Sequence, residues 1–140
     1  MFTNPLPDDA DYRIFFTEYA ERYYIKRFAK TYKGKQWLVT QDSIFQDLKR
    51  VHAMQASQQV DELKSGKDCK LFKYDFAVAK TNVSAKASGN RCIVFLDSKQ
   101  HRQDVLMVYN KSNLPKNQKE TTFIYQTVAS EFSTLWGRLD

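Results

Sequence analysis

The chain is poor in the residues that build disulfide frameworks and metal centres. Its 140 residues include only two cysteines and two histidines. Cys69 and Cys92 are too few for a disulfide framework, and Cys92 falls in an apolar run where we predict a small core residue. Neither His52 nor His101 has a cysteine or carboxylate nearby at ligand spacing. The sequence therefore predicts no metal site and no cofactor.

Long apolar runs are also absent. No stretch reaches the roughly 18 consecutive apolar residues that suggest a membrane-spanning helix. The first residues, MFTNPLPDDADY, lack the basic and apolar regions of a signal peptide. A glycine-rich phosphate loop and a nucleophile elbow are missing too. We therefore expect a cytoplasmic protein with no membrane partner, and most enzyme classes are excluded.

Positive charge is abundant, and it is unevenly distributed. Residues 1–63 contain nine Lys/Arg and nine Asp/Glu, whereas residues 64–140 contain thirteen and seven. Within the second half, Lys64–Arg91 alone holds seven cations against Asp68 and Asp75. Solvated surface lysines are one interpretation of such a run. A local basic field beside a sheet favours the other, a polyanion partner such as nucleic acid.

The stretch Ser88–Ser112 predicts a central β-hairpin. Two short apolar runs, Cys92–Leu96 and Val105–Tyr109, flank a polar connection. Each run is apolar at nearly every position, which is typical of strands covered on both faces. Arg91 enters the first strand and Lys111 follows the second, so an antiparallel pairing brings the two cations to one rim of the sheet. That rim is a reasonable place to bind a phosphate.

The remaining patterns predict an α+β fold in a single domain, 1–140, whose first ten residues form a loose lead-in. Its small, mostly antiparallel sheet would carry an N-terminal helical hairpin and a C-terminal helix. We expect a loop that ends in a short helical stretch at Ser57–Cys69 and a mobile loop at Lys80–Asn90. One face of the Lys70–Val78 strand, with Leu71, Lys73, Asp75 and Ala77, should be the wetter one. A further strand is predicted at Tyr12–Phe16. The first helix is capped by Thr17 and ends near Lys33, the second covers Gln36–Ala56, and the last covers Gln118–Trp136.

Cations and a tyrosine near the predicted rim could support phosphodiester cleavage. The 2′-hydroxyl of RNA would attack its own 3′-phosphate, and cations would neutralise the charge that develops there. A dense positive field could lower the pKa of a lysine or tyrosine enough for it to serve as acid or base. The alternative interpretations are solvated lysines and, for Tyr109, a core aromatic. The candidate residues are Lys70, Lys73, Lys80, Lys86, Arg91, Tyr109 and Lys111.

Three stretches, in this order and spacing, carry a family resemblance. The stretch FFTEYAERYYIKRF resembles the first strand and first helix of the RelE/ParE toxin superfamily of type II toxin–antitoxin systems. The stretch SGNRCIVFLD resembles the family's glycine–any–arginine entry into its third strand. The stretch DVLMVYNKSN resembles the last strand of its HigB-like and RelE-like members. The resemblance covers about residues 12–136. The chain is longer than a typical member, mostly through Ser57–Lys70 and Lys80–Ser88, and it has no Tyr or His at its extreme C-terminus.

The resemblance implies a cytoplasmic, metal-independent mRNA endonuclease that acts on the ribosome, with rRNA contacts, and is inhibited by a cognate antitoxin. It implies that Arg91 contacts the scissile phosphate and that Lys111 and Lys73 match further basic residues. With Tyr109 these form the candidate catalytic set, and Lys70, Lys80 and Lys86 are the candidate RNA-binding residues. The general base is left open. The alternatives are a ParE-like toxin that poisons DNA gyrase and a non-catalytic binding protein of the same fold.

Overall fold

A five-stranded sheet forms the centre of the computed structural model, which describes residues 12–51 and 57–139. The strands lie in the order β1-β5-β4-β3-β2; β1 is parallel to β5 and every other neighbouring pair is antiparallel. The fold is therefore mixed α+β, with a mostly antiparallel sheet. The strands are β1 (Arg13–Phe16), β2 (Val60–Gly66), β3 (Cys69–Asp75), β4 (Asn90–Asp97) and β5 (Arg102–Asn110).

Five helices and a 3₁₀ turn accompany the sheet in the described part of the chain. Helix α1 consists of an α-helical turn, a π-helical segment and a second α-helical segment, at Glu18–Ala20, Glu21–Ile25 and Lys26–Thr31. The others are α2 (Lys35–Lys49), α3 (Ala85–Ser88), α4 (Glu120–Glu131) and α5 (Ser133–Trp136), and the 3₁₀ turn is at Lys111–Asn113. None of the helices described is long and apolar enough to cross a membrane.

The N-terminal helical hairpin packs on one face of the sheet, as the sequence predicts. Thr17 caps α1: its side chain accepts a hydrogen bond from the Ala20 amide and donates one to the Val105 carbonyl of β5. Gly34, with φ +66°, makes the tight connection to α2 in a region that favours glycine. One apolar core lies between this hairpin and the sheet, and it contains Phe28, Trp37, Ile44, Leu48, Phe72, Val94 and Val108.

The C-terminal helices cover the opposite face. Ile124 and Val128 of α4 pack with Leu71, Ile93 and other sheet residues in a second apolar core. All eight residues of β4 are buried, which confirms the prediction that its continuous apolar run reflects cover on both faces. Cys92 is fully buried, as predicted, and neither Cys69 nor Cys92 is in a disulfide.

One strand was missed by sequence reasoning. The segment predicted as a loop, Ser57–Cys69, contains β2, which pairs with β3 at the edge of the sheet. Its sequence VDELKSG is mostly polar because an edge strand has one unpaired side and little cover, and its register shifts between Glu62 and Lys64. The described part of the chain thus has four strands after the helical hairpin and not three.

Smaller corrections concern the predicted loops and element ends. The Lys80–Asn90 segment contains the short helix α3, and the helix predicted over Gln118–Trp136 is broken at Phe132. The predicted wetter face of Lys70–Val78 is confirmed as the less buried one, with Lys73 half-buried and Ala77 exposed, although Leu71 and Asp75 are buried. The opposite face is buried throughout, at Phe72, Tyr74, Phe76 and Val78. The predicted lead-in Met1–Ala10, the end of the second helix near Ala56, and His52 lie outside the described residues.

The last described residues return to the sheet near the start of β3. Arg138 pairs with Asp97 at 2.9 Å, and Leu139 forms an isolated bridge with Gly66. A Cβ atom placed on Gly66 would lie 2.0 Å from the carbonyl oxygen of Arg138. Only glycine therefore permits this close approach of two backbone segments.

We predict that Gly66→Ala displaces the segment at Arg138–Leu139 and lowers the free energy of unfolding by about 1–3 kcal/mol. Gly137→Ala is the matched control, because a Cβ there would meet its nearest atom at 3.4 Å, an ordinary contact distance. Urea unfolding of the two variants measures the effect. Equal stability of the two variants would contradict the close approach.

Candidate functional site

Three charged or hydroxyl-bearing residues form one row across the three central strands, at one end of the sheet. Asp75 of β3 is paired with Arg91 of β4, and Arg91 with Tyr109 of β5. Directly opposed residues project to the same face of a sheet, and this row lies on the face covered by α4. Arg91 Nε lies 3.1 Å from Asp75 Oδ1, and both side chains are almost completely buried.

Glu120, in the first turn of α4, gathers the row into a cluster. The Tyr109 hydroxyl donates a hydrogen bond of 2.7 Å to Glu120 Oε2, and Arg91 Nε lies 3.9 Å from the same oxygen. Lys73 Nζ lies 3.5 Å from Glu120 Oε1. We call Lys73, Asp75, Arg91, Tyr109 and Glu120 the charge cluster. Glu120 also suits its position because the N-terminus of a helix favours negative charge.

The charge cluster contains two cations and two carboxylates, so its formal charge is balanced. Lys73 and Arg91, which sequence reasoning placed in an uncompensated basic field, each have a carboxylate partner. Arg91 also donates to the backbone carbonyls of Asn90 and Lys86. Arg91 is thereby held in place from several directions, and its side chain is only 6% exposed.

Burial raises the pKa of two groups in the charge cluster, Asp75 and Tyr109. Desolvation raises the pKa of Asp75 even though the charges of Arg91 and Lys73 oppose that rise. Burial, together with the hydrogen bond to Glu120, raises the pKa of Tyr109 well above its ordinary range. Tyr109 is therefore a neutral hydrogen-bond donor at physiological pH and not a base.

The structure brings three of the four candidate catalytic residues together. Arg91, Lys73 and Tyr109 all contact Glu120. Tyr109 also satisfies the alternative interpretation, since its ring packs in the apolar core against Phe123 while only the hydroxyl joins the charge cluster. Lys111, the fourth candidate, is exposed at the same end of the sheet, where its amide donates to the Gly89 carbonyl at 2.8 Å.

The candidate RNA-binding lysines do not share one location. Lys80 and Lys86 are exposed on the connection between β3 and β4, which leads into Arg91. Lys70 lies five positions before Asp75 on β3, hence on the opposite face and toward the other end of the strand. It is also paired with Glu62 of β2 at 3.3 Å. Lys70 is thus separated from the charge cluster.

Two members of the charge cluster were not recognised as functional from sequence. In the sequence, Asp75 stands out only as an anion within the basic segment and as one residue of a strand face, and nothing distinguishes Glu120 within the last predicted helix. The sequence offered one usable signal, since an arginine entering a buried strand requires a buried carboxylate. The sequence could not show which carboxylate of α4 would lie near Arg91, because that depends on how the helix crosses the sheet. Within 12–51 and 57–139, no group of three His, Cys, Asp or Glu side chains is placed to hold a metal ion.

Comparisons with known proteins identify no relative. No family model matches the chain, and neither the curated proteins nor the solved structures contain a match. The site must therefore be interpreted from its own geometry.

We predict that Glu120→Ala lowers the free energy of unfolding by roughly 2–3 kcal/mol, because it leaves two largely buried cations with only Asp75 as a counterion. Glu131→Ala, at an exposed position of the same helix, is the control and should change stability by less than about 0.5 kcal/mol. Urea unfolding at neutral pH compares them. Similar losses in both variants would mean that Glu120 does not hold the cations.

The raised pKa of Tyr109 predicts an alkaline loss of stability. In the unfolded chain the Tyr109 phenol loses its proton between about pH 9 and 11, whereas in the folded chain it keeps the proton. The free energy of unfolding therefore falls as the pH rises through that range. Tyr109→Phe should make this fall shallower, while Tyr24 and Tyr74, whose pKa values are also raised by burial, maintain the rest of it. Denaturant unfolding measured between neutral and alkaline pH tests this. Parallel curves for variant and wild type would contradict it.

Proposed function

We propose that this chain is the toxin of a type II toxin–antitoxin system and cleaves mRNA on the ribosome, with the RNA 2′-hydroxyl as nucleophile. The observation that supports the proposal is the convergence of Lys73, Arg91 and Tyr109 on the Glu120 carboxylate. A base, cations and a hydrogen-bond donor within one cluster are the groups that this transesterification needs. The exposed Lys86 and Lys111 at the same end of the sheet add positive charge for the RNA backbone.

Glu120 is our candidate for the general base. It would take the proton of the 2′-hydroxyl while the O2′–P bond forms and the P–O5′ bond breaks. Its side chain is 22% exposed and that of Lys73 is 18% exposed, so both are accessible from solvent. Lys73 would stabilise charge on the phosphate, and Lys111 would give a proton to the leaving 5′-oxygen.

Arg91 has a different role in this proposal from the one that the family resemblance implies. Its burial and its contacts with Asp75 and Glu120 make it a positioning residue, which fixes the carboxylate that acts as base. Tyr109 holds the other side of Glu120 through its hydrogen bond. The phosphate would then meet Lys73 and Lys111 and would not contact Arg91.

A second candidate function is supported by the charge balance of the cluster. Lys73 and Arg91 are both neutralised by carboxylates, an arrangement that also suits a purely structural cluster. A gyrase-poisoning toxin or a non-catalytic binding protein of the same fold would need no free phosphate-binding cations. The identity of the cleaved molecule distinguishes these candidates from the nuclease.

The proposed partner is an antitoxin with an acidic or amphipathic segment that covers the exposed cations or the helical hairpin. Part of that contact would be electrostatic, so its association should slow as ionic strength rises. The antitoxin would then shield the same end of the sheet that binds RNA.

We predict that induction of the chain in bacteria arrests growth and that the purified protein cuts ribosome-bound mRNA, leaving a 2′,3′-cyclic or 3′-phosphate and a 5′-hydroxyl. Glu120→Gln keeps the shape of the side chain but removes the base, so cleavage should slow by about 10²–10⁴-fold. Lys111→Ala should also slow it, whereas Lys99→Ala, an exposed lysine at the other end of the β4–β5 hairpin, should not. Circular dichroism confirms that each variant is folded.

Four outcomes would contradict parts of this proposal. A 5′-phosphate product would exclude the 2′-hydroxyl as nucleophile, as would efficient cutting of a substrate with a 2′-deoxy scissile nucleotide. Full mRNA cleavage by the Glu120→Gln variant would exclude Glu120 as the general base. Growth arrest with gyrase-dependent DNA breaks and intact mRNA would favour the second candidate function.

A further inference from the structure

A cleft opens on the other side of the sheet from the charge cluster, between α1 and the end of β5. Its volume is about 240 Å³, just below the range of about 300–1,000 Å³ typical of small-molecule sites. It therefore suits a single flat ring better than a large ligand. The residues that line it include Arg27, Thr31, Tyr32, Asn90, Asn110 and Ser112.

Two asparagines form the floor of this cleft. Asn110 Nδ2 donates to the Ser88 carbonyl at 3.0 Å and to Asn90 Oδ1 at 2.8 Å, and Asn110 Oδ1 accepts from the Ser112 amide at 2.9 Å. Gly89 makes room for this network, since a Cβ there would lie 3.3 Å from Asn110 Oδ1. The pair is therefore rigid, and its orientation is set by the backbone around it.

Asn90 retains an unused donor in this network. The residue is only 4% exposed, and its Oδ1 is occupied by Asn110. Its Nδ2 has no hydrogen-bond partner among the described residues. This donor is not fully enclosed by protein, so water can accept from it when the cleft holds no ligand. Because Asn90 lines the cleft, an acceptor bound there could reach this donor.

The α1 wall supplies an aromatic ring and a cation. Tyr32 is half-buried and stacks with Phe28 at a centroid distance of 6.3 Å, so its ring is held in a fixed plane. Arg27 is exposed and forms no ion pair with any described residue. The hydroxyls of Thr31 and Ser112 complete the polar lining. The cleft thus combines a flat apolar wall, a fixed amide donor and an available guanidinium.

We propose that this cleft binds one nucleotide of single-stranded RNA. The base would lie against Tyr32 and accept a hydrogen bond from Asn90 Nδ2, and its phosphate would pair with Arg27. Stacking on aromatic rings and phosphate contacts by arginine are the usual means of binding unpaired nucleotides. The inference rests on the proposed function only in naming RNA as the source of the nucleotide.

The cleft and the charge cluster lie back to back at one end of the sheet. Asn90 and Arg91 are consecutive on β4, so their side chains project to opposite faces. Asn90 is paired with Asn110 and Arg91 with Tyr109. An RNA strand that passes around this end could place one nucleotide in the cleft and present a neighbouring phosphate to Lys111 and the charge cluster.

The test is equilibrium binding followed by NMR of the ¹⁵N-labelled full chain. The probes are the four ribonucleoside 5′-monophosphates, inorganic phosphate and a short unstructured RNA. Nucleotide binding should shift the side-chain amide signal of Asn90, assigned by its loss in Asn90→Asp. Arg27→Ala should weaken binding about tenfold, as expected for a lost charge-assisted hydrogen bond. Lys26→Ala removes the same charge one position away and should change it less than about twofold.

Several results would overturn the inference. One is that Arg27→Ala and Lys26→Ala weaken nucleotide binding equally. Another is that inorganic phosphate binds as tightly as the nucleotides, and a third is that no nucleotide binds. Tighter binding of the RNA than of the mononucleotides is expected, and the reverse would overturn RNA as the source. Nucleotide binding without any mRNA cleavage would keep the inference and reject the nuclease. If the Arg27→Ala variant cleaves mRNA and binds nucleotides as well as the wild type does, the inference is rejected and the nuclease is kept.

Discussion

The need to cover both faces of the β4–β5 pair determines the rest of the architecture. Ile93, Val94 and Phe95 are consecutive and all are buried, so apolar side chains project from both faces of the same strand. One layer of helices can bury only one of those faces. The helical hairpin covers one side and α4 the other, and each contributes its own apolar core. Removing either layer would expose a continuous apolar surface to water.

This constraint also explains why charge is buried beneath α4. The α4 face of the sheet is apolar along Leu71, Ile93 and Phe95 but ends in Asp75 and Arg91. Two buried charges are tolerable there because they neutralise each other and because Glu120 and Tyr109 supply further polar contacts. The charge cluster therefore fixes where the helix begins on the sheet, and the apolar core fixes where it lies. The proposed catalysis uses the end of this face where Lys73 and Glu120 are polar and partly open to solvent.

The sequence was most informative where one pattern determined one structure. The uninterrupted apolar runs of the hairpin predicted central strands. The sequence also predicted the second helix of the helical hairpin, in which Trp37, Ile44 and Leu48 are buried. It failed where partners distant in sequence decide the outcome. Strand β2 could not be recognised because its residues carry little apolar pattern and its pairing with β3 stabilises it. For the site, Arg91 and Lys73 could be proposed from their positions, but their neutralisation by Asp75 and Glu120 depends on the packing of α4 and the sheet register.

The parallel pairing of β1 with β5 has a consequence for folding during synthesis. Arg13 aligns with Arg102 and Phe16 with Val105, so the first strand finds its neighbour only after most of the chain has left the ribosome. Until then the helical hairpin has no complete sheet on which to bury its stripe, and the nascent chain carries apolar surface that a chaperone could recognise. Contacts so distant along the chain close slowly, because a long loop must be ordered before they form. The last hairpin to be synthesised is therefore the one that allows the first segment to fold.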